Sequence, residues 1–302
     1  VNTLVRLLKI PEPKPLKLNW EKNMTENHQS SAQMNECTIR KGKNYILSKL
    51  FLLPHLPALL IYPITPPPYP AIFFLHYYRG SKENIQFLAN EIGKAGFMAL
   101  AIDMEYHGER FQNGKDILST DLEDDKEAFY RTIDDALQAV QFIEKHPHFN
   151  QKSLFFWGVS LGSLIGSVVC GQYQKFQGIA LVVGGGDIEI LTRESMLDSM
   201  VNIRYSLLKK QIPITELAIA WHDLDPLTWI SKIERTQVTF FNASQDTIIP
   251  QECTWKLYER TVSPKKIFWY PTDHGLLFDR YFEIPKKILD EFRGILPILG
   301  DK

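Results

Sequence analysis

The sequence is poor in cysteine, carries no excess of charge of either sign, and has no long apolar run. Its three cysteines, Cys37, Cys170 and Cys253, are odd in number and far apart, with no CxxC pair or Cys/His cluster, which excludes a disulfide framework and a zinc site of the usual spacing. They read as small buried hydrophobes in a reducing compartment, so a cytoplasmic location is expected. The 34 Lys and Arg against 35 Asp and Glu leave a formal charge of −1, with no electrostatic footprint for nucleic acid or an anionic surface. Val1 to Ile10 is interrupted by Arg6 and Lys9 and followed at once by Pro11, Pro13 and Pro15, so it reads as no secretion signal. Leu50 to Ile64 is broken by Pro54, Pro57 and Pro63, well short of the ~20 apolar residues of a membrane span. Strands joined by proline turns explain it better, and no integral membrane segment is expected. A strand-linked G-x-G-x-x-G is missing too. Gly184-Gly185-Gly186 has the wrong spacing, which sets a nucleotide-binding reading aside.

What is present is a chain of 302 residues with 44% hydrophobic content, enough for a sizeable core. Residues 1 to about 35 are polar and proline-bearing and read as an irregular extension. From residue 36 to 302 short apolar runs alternate with amphipathic stretches, the pattern of an α/β domain built on a mostly parallel sheet. Ala71 to Leu75, Met98 to Ile102, Leu154 to Trp157, Ile179 to Val183, Val238 to Phe241 and Ile267 to Tyr270 are near-continuous apolar runs, as expected of strands buried on both faces. Helical spacing follows at Ile85 to Ile92, Phe129 to Ile143, Leu161 to Cys170, Glu252 to Arg260 and Lys286 to Ile295. Residues 188 to about 225 lack a strand signal and read as a helical cap inserted at the active-site end of the sheet.

The sharpest chemical signal is Gly158-Val159-Ser160-Leu161-Gly162, which follows an apolar strand run and opens a helical stretch. A strand that turns abruptly into a helix strains its turn residue, and Gly158 and Gly162 remove side chains that would clash there, leaving the Ser160 hydroxyl exposed above the sheet. The helix N-terminus also faces the place where negative charge develops in acyl transfer. A serine needs a base, and His274 in Pro271-Thr272-Asp273-His274-Gly275 sits after the last strand run, at the carboxyl end of the sheet. Asp246, just after Val238 to Phe241, is the expected orienting acid. Asp273 is the rival, disfavoured as the base's direct sequence neighbour. The chain order Ser, acid, His differs from that of the chymotrypsin and subtilisin folds.

On these motifs, together with His76-Tyr77-Tyr78-Arg79-Gly80, Asp103 to Arg110 and Asp246-Thr247-Ile248-Ile249-Pro250, the chain from about Cys37 to Leu296 resembles the α/β-hydrolase superfamily. It is nearest to the dienelactone-hydrolase and prolyl-oligopeptidase-like branch of small carboxylesterases. The resemblance implies an α/β-hydrolase fold with helices on both sheet faces. It also implies backbone N–H groups of Leu161 and Tyr78, with Tyr77 the fallback, as the oxyanion hole. The chain departs from the family where Tyr77 replaces a glycine and where Ala243 stands before the acid.

The expected activity is hydrolysis of a small-molecule carboxylic ester through an acyl-enzyme. Thioesterase, amidase or small-peptidase chemistry on the same residues is the alternative within enzymes, and a non-catalytic binding protein on the same fold the alternative outside them. Ester is favoured over peptide by family analogy, because the peptidase relatives carry a large accessory domain. No metal and no organic cofactor is implied. His76 reads as a structural histidine, Asp103 as a turn residue, and His107, Glu109 and Arg110 as turn-fixing. His28, His55, His146 and His148 read as surface or turn residues, and the acidic run from Asp121 to Glu127 as a solvated helix start.

Overall fold

The computed structural model describes residues 36–276 and 283–296; the expected N-terminal extension lies outside these. Nine strands form one sheet: β1 (Cys37–Lys41), β2 (Tyr45–Leu53), β3 (Leu56–Pro63), β4 (Tyr69–Leu75), β5 (Met98–Ile102), β6 (Phe149–Val159), β7 (Gly178–Val182), β8 (Gln237–Ala243) and β9 (Lys265–Tyr270). Their spatial order is β1-β2-β3-β5-β4-β6-β7-β8-β9. β1, β2 and β3 are joined antiparallel to each other and to β5, and every later pairing is parallel. From β4 the chain crosses to β5 on one side, then returns past β4 to β6 on the other. That reversal opens a crevice at the carboxyl ends of β4 and β6, where α/β sheets place their ligands.

The helices are α1 (Ala89–Ala95), α2 (Leu122–Lys145), α3 (Leu161–Tyr173), α4 (Ile188–Glu194), α5 (Asp198–Lys209), α6 (Ile214–Ala220), α7 (Pro226–Ile230), α8 (Gln251–Arg260) and α9 (Ile284–Ile295). Alternate residues of the central strands point to opposite faces, so each face makes its own core. Phe73, Leu100, Phe156 and Leu181 meet α2, α3 and the α5–α6 helices on one face. Phe74, Ala101, Phe155 and Val182 meet α1 and α9 on the other. This is the α/β-hydrolase architecture that the sequence implied.

Several expectations need correction. Ile267 to Tyr270 was expected to be buried on both faces, yet β9 is the last strand of the sheet, and Phe268 there is 38% exposed. A run of apolar residues does not reveal that it has a neighbour on one side only. Cys170 and Cys253 are buried as expected, but Cys37 is exposed, on a strand whose five residues all face solvent. His146 is buried and hydrogen-bonded to the Tyr62 hydroxyl at 3.1 Å rather than lying at the surface. Asp121 caps the N-terminus of α2 through the Asp124 N–H, but Asp125 in the same acidic run is fully buried, where it accepts from both the N–H and the hydroxyl of Ser119 at 2.6 Å.

Between β7 and β8 the described chain is helical throughout its regular elements, α4 to α7. The two ends of this insertion are stapled by one carboxylate. Asp225 accepts hydrogen bonds from the N–H groups of Asp187 (3.0 Å) and Ile188 (2.9 Å) at its start and of Leu227 (2.8 Å) at its end. Among the described residues no helix is long and apolar enough to cross a membrane.

Candidate active site

Ser160 lies between the last residue of β6 and the first of α3, with φ 52° and ψ −117°, a region that a serine adopts only when its surroundings force it. Here they do. The Ser160 N–H donates to Val182 O at 2.9 Å and its carbonyl accepts from Ser163 N–H at 2.7 Å and Leu164 N–H at 3.1 Å. Behind it, the Ser163 hydroxyl bonds Gly158 O at 2.7 Å and accepts from Val182 N–H at 3.1 Å, tying β6, β7 and α3 together. A Cβ at Gly162 would collide with the carbonyl oxygens of Leu75 and His76, so the glycine lets α3 start directly against the end of β4.

β8 delivers the acid. Asp246 Oδ1 accepts from the N–H groups of Ile248 (2.8 Å) and Ile249 (2.9 Å), which fixes the carboxylate plane and leaves Oδ2 free to accept from His274 Nδ1 at 2.7 Å. A carboxylate only accepts, so Nδ1 carries the ring proton and Nε2 presents its lone pair to the Ser160 hydroxyl, 2.8 Å away. The loops holding the pair are laced together: Ser244 N–H donates to Tyr270 O at 2.8 Å and Gln245 N–H to Thr272 O at 3.0 Å. Asp273, the rival acid, accepts from Gly275 N–H at 2.9 Å within its own turn. Ser160 and Asp246 are nearly buried while the His274 side chain is 26% exposed, so the chain of three groups opens to solvent at the base.

On the other side of Ser160, β4 is followed by His76, Tyr77 and Tyr78. His76 is fully buried; its Nδ1 donates to Tyr77 O at 2.8 Å and its Nε2 accepts from Met104 N–H at 3.1 Å. Burial pushes its pKa down to about 3, with the nearby His107 adding to the effect, so the ring is neutral in neutral solution. The two tyrosines diverge. Tyr77 packs into the core beneath α1 and α9, and Tyr78 into the opposite one, where its hydroxyl donates to Asp116 at 2.7 Å. The backbone N–H groups of Tyr78 and Leu161 donate to no other group among the described residues.

Asp103 was read as a turn residue and is more than that. It is fully buried, accepts from the N–H of Lys82 and Glu109, and pairs with the buried Lys82 ammonium at 2.8 Å. Lys82 in turn reaches Glu109 at 2.5 Å, and Arg110 holds Glu105 and, at 2.7 Å, Asp135. These contacts fix turns, as expected of Glu109 and Arg110. His107 likewise bonds its own loop through Glu105 O at 2.8 Å. The residue that sequence reasoning missed is Asn84, which donates to the Tyr77 hydroxyl at 2.9 Å and accepts from Ser81 N–H at 2.7 Å. Its bond from Ser81 N–H is that of a capping box, three residues on from Ser81, but no spacing rule points to its contact with Tyr77. Among the described residues no group of three His, Cys, Asp or Glu side chains is arranged to hold a metal.

With this geometry in view, the family model of the dienelactone hydrolases matches residues 56–283, from β3 past the histidine loop. The chain belongs to the dienelactone hydrolase family. No curated protein matches it in sequence. Solved structures resemble this family member in fold. Acetyl xylan esterase 1 from a Thermoanaerobacterium species has a TM-score of 0.72 at 14% identity, covering 96% of this chain and 98% of that one. The acetyl xylan esterase from a Paenibacillus species has a TM-score of 0.72 at 15% identity, covering 95% and 99%. Acylaminoacyl peptidase from Pyrococcus horikoshii has a TM-score of 0.62 at 13% identity, covering 94% of this chain but 45% of the other.

Proposed function

We propose that this dienelactone hydrolase family member cleaves carboxylic esters with Ser160 as nucleophile, His274 as base and Asp246 as the orienting acid. The observation that carries the reading is the unbroken hydrogen-bonded chain Ser160 Oγ, His274 Nε2, His274 Nδ1, Asp246 Oδ2, at 2.8 and 2.7 Å. A serine hydroxyl is a weak nucleophile until a base takes its proton, and a base is useful only in the right tautomer. Asp246 supplies that tautomer here. In the first step Ser160 Oγ bonds to the ester carbonyl carbon as its proton passes to His274 Nε2, and the carbonyl π electrons move to oxygen. The Tyr78 and Leu161 N–H groups face that oxyanion. Collapse breaks the bond to the alcohol oxygen, which leaves with the proton from His274. Water repeats the sequence on the acyl-enzyme, freeing the acid and restoring Ser160.

Residues 36–302 then act as one hydrolase domain, with 188–225 as its cap. The cap touches the acid loop directly, since Met196 N–H donates to Thr247 O at 2.9 Å. Two of the fold's neighbours are acetyl xylan esterases, which makes acetyl the first acyl group to try. The test is hydrolysis of p-nitrophenyl esters from acetate to decanoate by the wild type and by Ser160→Ala. Turnover that Ser160→Ala abolishes is expected, with the chain-length profile sizing the acyl pocket. Absence of wild-type turnover across the series, or turnover that survives Ser160→Ala, would count against the reading.

A further inference from the structure

The turn that carries the Tyr78 N–H is held in place by side chains to an unusual degree. A trans peptide points its C=O and N–H in opposite directions, so whatever fixes the Tyr77 carbonyl also aims the Tyr78 N–H. Two donors fix it: His76 Nδ1–H at 2.8 Å and Gly80 N–H at 2.9 Å. The Tyr77 phenol takes part in the same turn. It accepts from Asn84 Nδ2 at 2.9 Å, while Asn84 Oδ1 accepts from Ser81 N–H at 2.7 Å, so one amide bridges both limbs of the turn. The space is filled around this arrangement. A Cβ at Gly80 would stand 2.6 Å from Asn84 Oδ1, 2.9 Å from Tyr77 O and 3.2 Å from His76 Nδ1.

We infer that Asn84 and Tyr77, together with His76, are positioning residues for the oxyanion hole: a side-chain clamp that aims the Tyr78 N–H. The inference rests on the proposed esterase reading, since it needs an oxyanion to stabilise. None of the three side chains needs to touch substrate. Their effect is transmitted through the Tyr77–Tyr78 peptide, and a preorganised donor matters more in the transition state than in the ground state.

Losing a whole oxyanion donor costs roughly 10²–10³ in kcat, so loosening one should cost less. Asn84→Ala is expected to lower kcat for p-nitrophenyl acetate by about 10–30-fold with KM changed by less than about twofold. The inhibition constant of a phenylboronic acid, which forms a tetrahedral adduct on serine, should rise by a similar factor. Asn84→Asp should recover most of kcat, because the carboxylate still accepts from Ser81 N–H and now accepts from the Tyr77 hydroxyl. In the double-mutant cycle, Tyr77→Phe combined with Asn84→Ala should lose little beyond Asn84→Ala alone, as partners in one contact do. A wild-type kcat in folded Asn84→Ala, additive losses in the cycle, or a loss that Asn84→Asp does not recover would overturn the clamp and leave the esterase reading standing. Absence of ester turnover by the wild type would overturn both.

Discussion

The two turns that meet beside Ser160, one after β6 and one after β4, are fixed by opposite means. After β6, the nucleophile turn is shaped by what is absent: glycine at Gly162 lets α3 abut the carbonyls of Leu75 and His76, and the strained Ser160 backbone is held by main-chain bonds and one buried hydroxyl, that of Ser163. After β4, the turn proposed to hold the oxyanion is shaped by what is present. A buried imidazole, an anchored phenol and a bridging amide hold it. Sterically shaped turns tolerate no added atom, whereas side-chain-tied turns fail by degrees as ties are cut. The second kind is also open to pH, because an imidazole titrates and a glycine does not.

Breaking the first turn should have the largest effect. Gly162→Val forces a branched side chain into main-chain oxygens, an overpacking cost of about 3 kcal/mol or more, so thermal unfolding should drop by roughly 6–12 °C with no measurable turnover. An unchanged melting temperature would show that α3 does not depend on that close approach. Next comes Asp246→Asn, which preserves shape and packing but lets the imidazole settle in the wrong tautomer; a loss of roughly 10⁴ in kcat is expected, with near-native stability in circular-dichroism melts. Cutting one tie of the oxyanion turn with Asn84→Ala ranks below both, at the 10–30-fold argued above.

The smallest effect separates the turns by pH. Burial lowers the His76 pKa from 6.5 to about 3, and burial lowers those of His107 and His146 as well. Between the lowered values and 6.5 the unfolded chain binds protons that the folded chain refuses, so stability falls as the pH drops through that window. Asp125 acts in the opposite sense: burial raises it from 3.8 to about 6, so in that range the folded chain holds the extra proton. Burial raises Asp134 as well, so two carboxyl groups offset part of what the three histidines do, and the shift of Asp125 is smaller than that of His76. With His76 shifted furthest, a net fall in melting temperature is expected between pH 7 and pH 4.5. In His76→Gln the slope should be visibly flatter, and an unchanged slope would place the sensitivity elsewhere.

The strand-turn-helix geometry at Ser160 was legible in the sequence because its demands are local: two glycines about a serine, a strand before and a helix after, within a dozen residues. That Asp246 and His274 come together with Ser160 could be expected from chain order and from their places after strand runs. The ties of the turn after β4 were only half legible. His76 could be read as structural, but Asn84 meets Tyr77 from the far side of a 3-10 turn, Lys82–Phe87, and a polar residue in a polar stretch leaves no periodic trace. The same reason hid the burial of Asp125 and His146 and the edge position of β9. Those depend on which elements pack together, and single runs of sequence do not encode their neighbours.

The measurement that tests the central claim most directly is labelling of the full chain with a fluorophosphonate, with the adduct mapped by peptide mass spectrometry while p-nitrophenyl acetate hydrolysis is followed. The account predicts one adduct, on Ser160, rising in step with the loss of turnover, and neither label nor turnover in Ser160→Ala. A chain that hydrolyses the ester while Ser160 remains unlabelled, or that keeps its activity in Ser160→Ala, would contradict it.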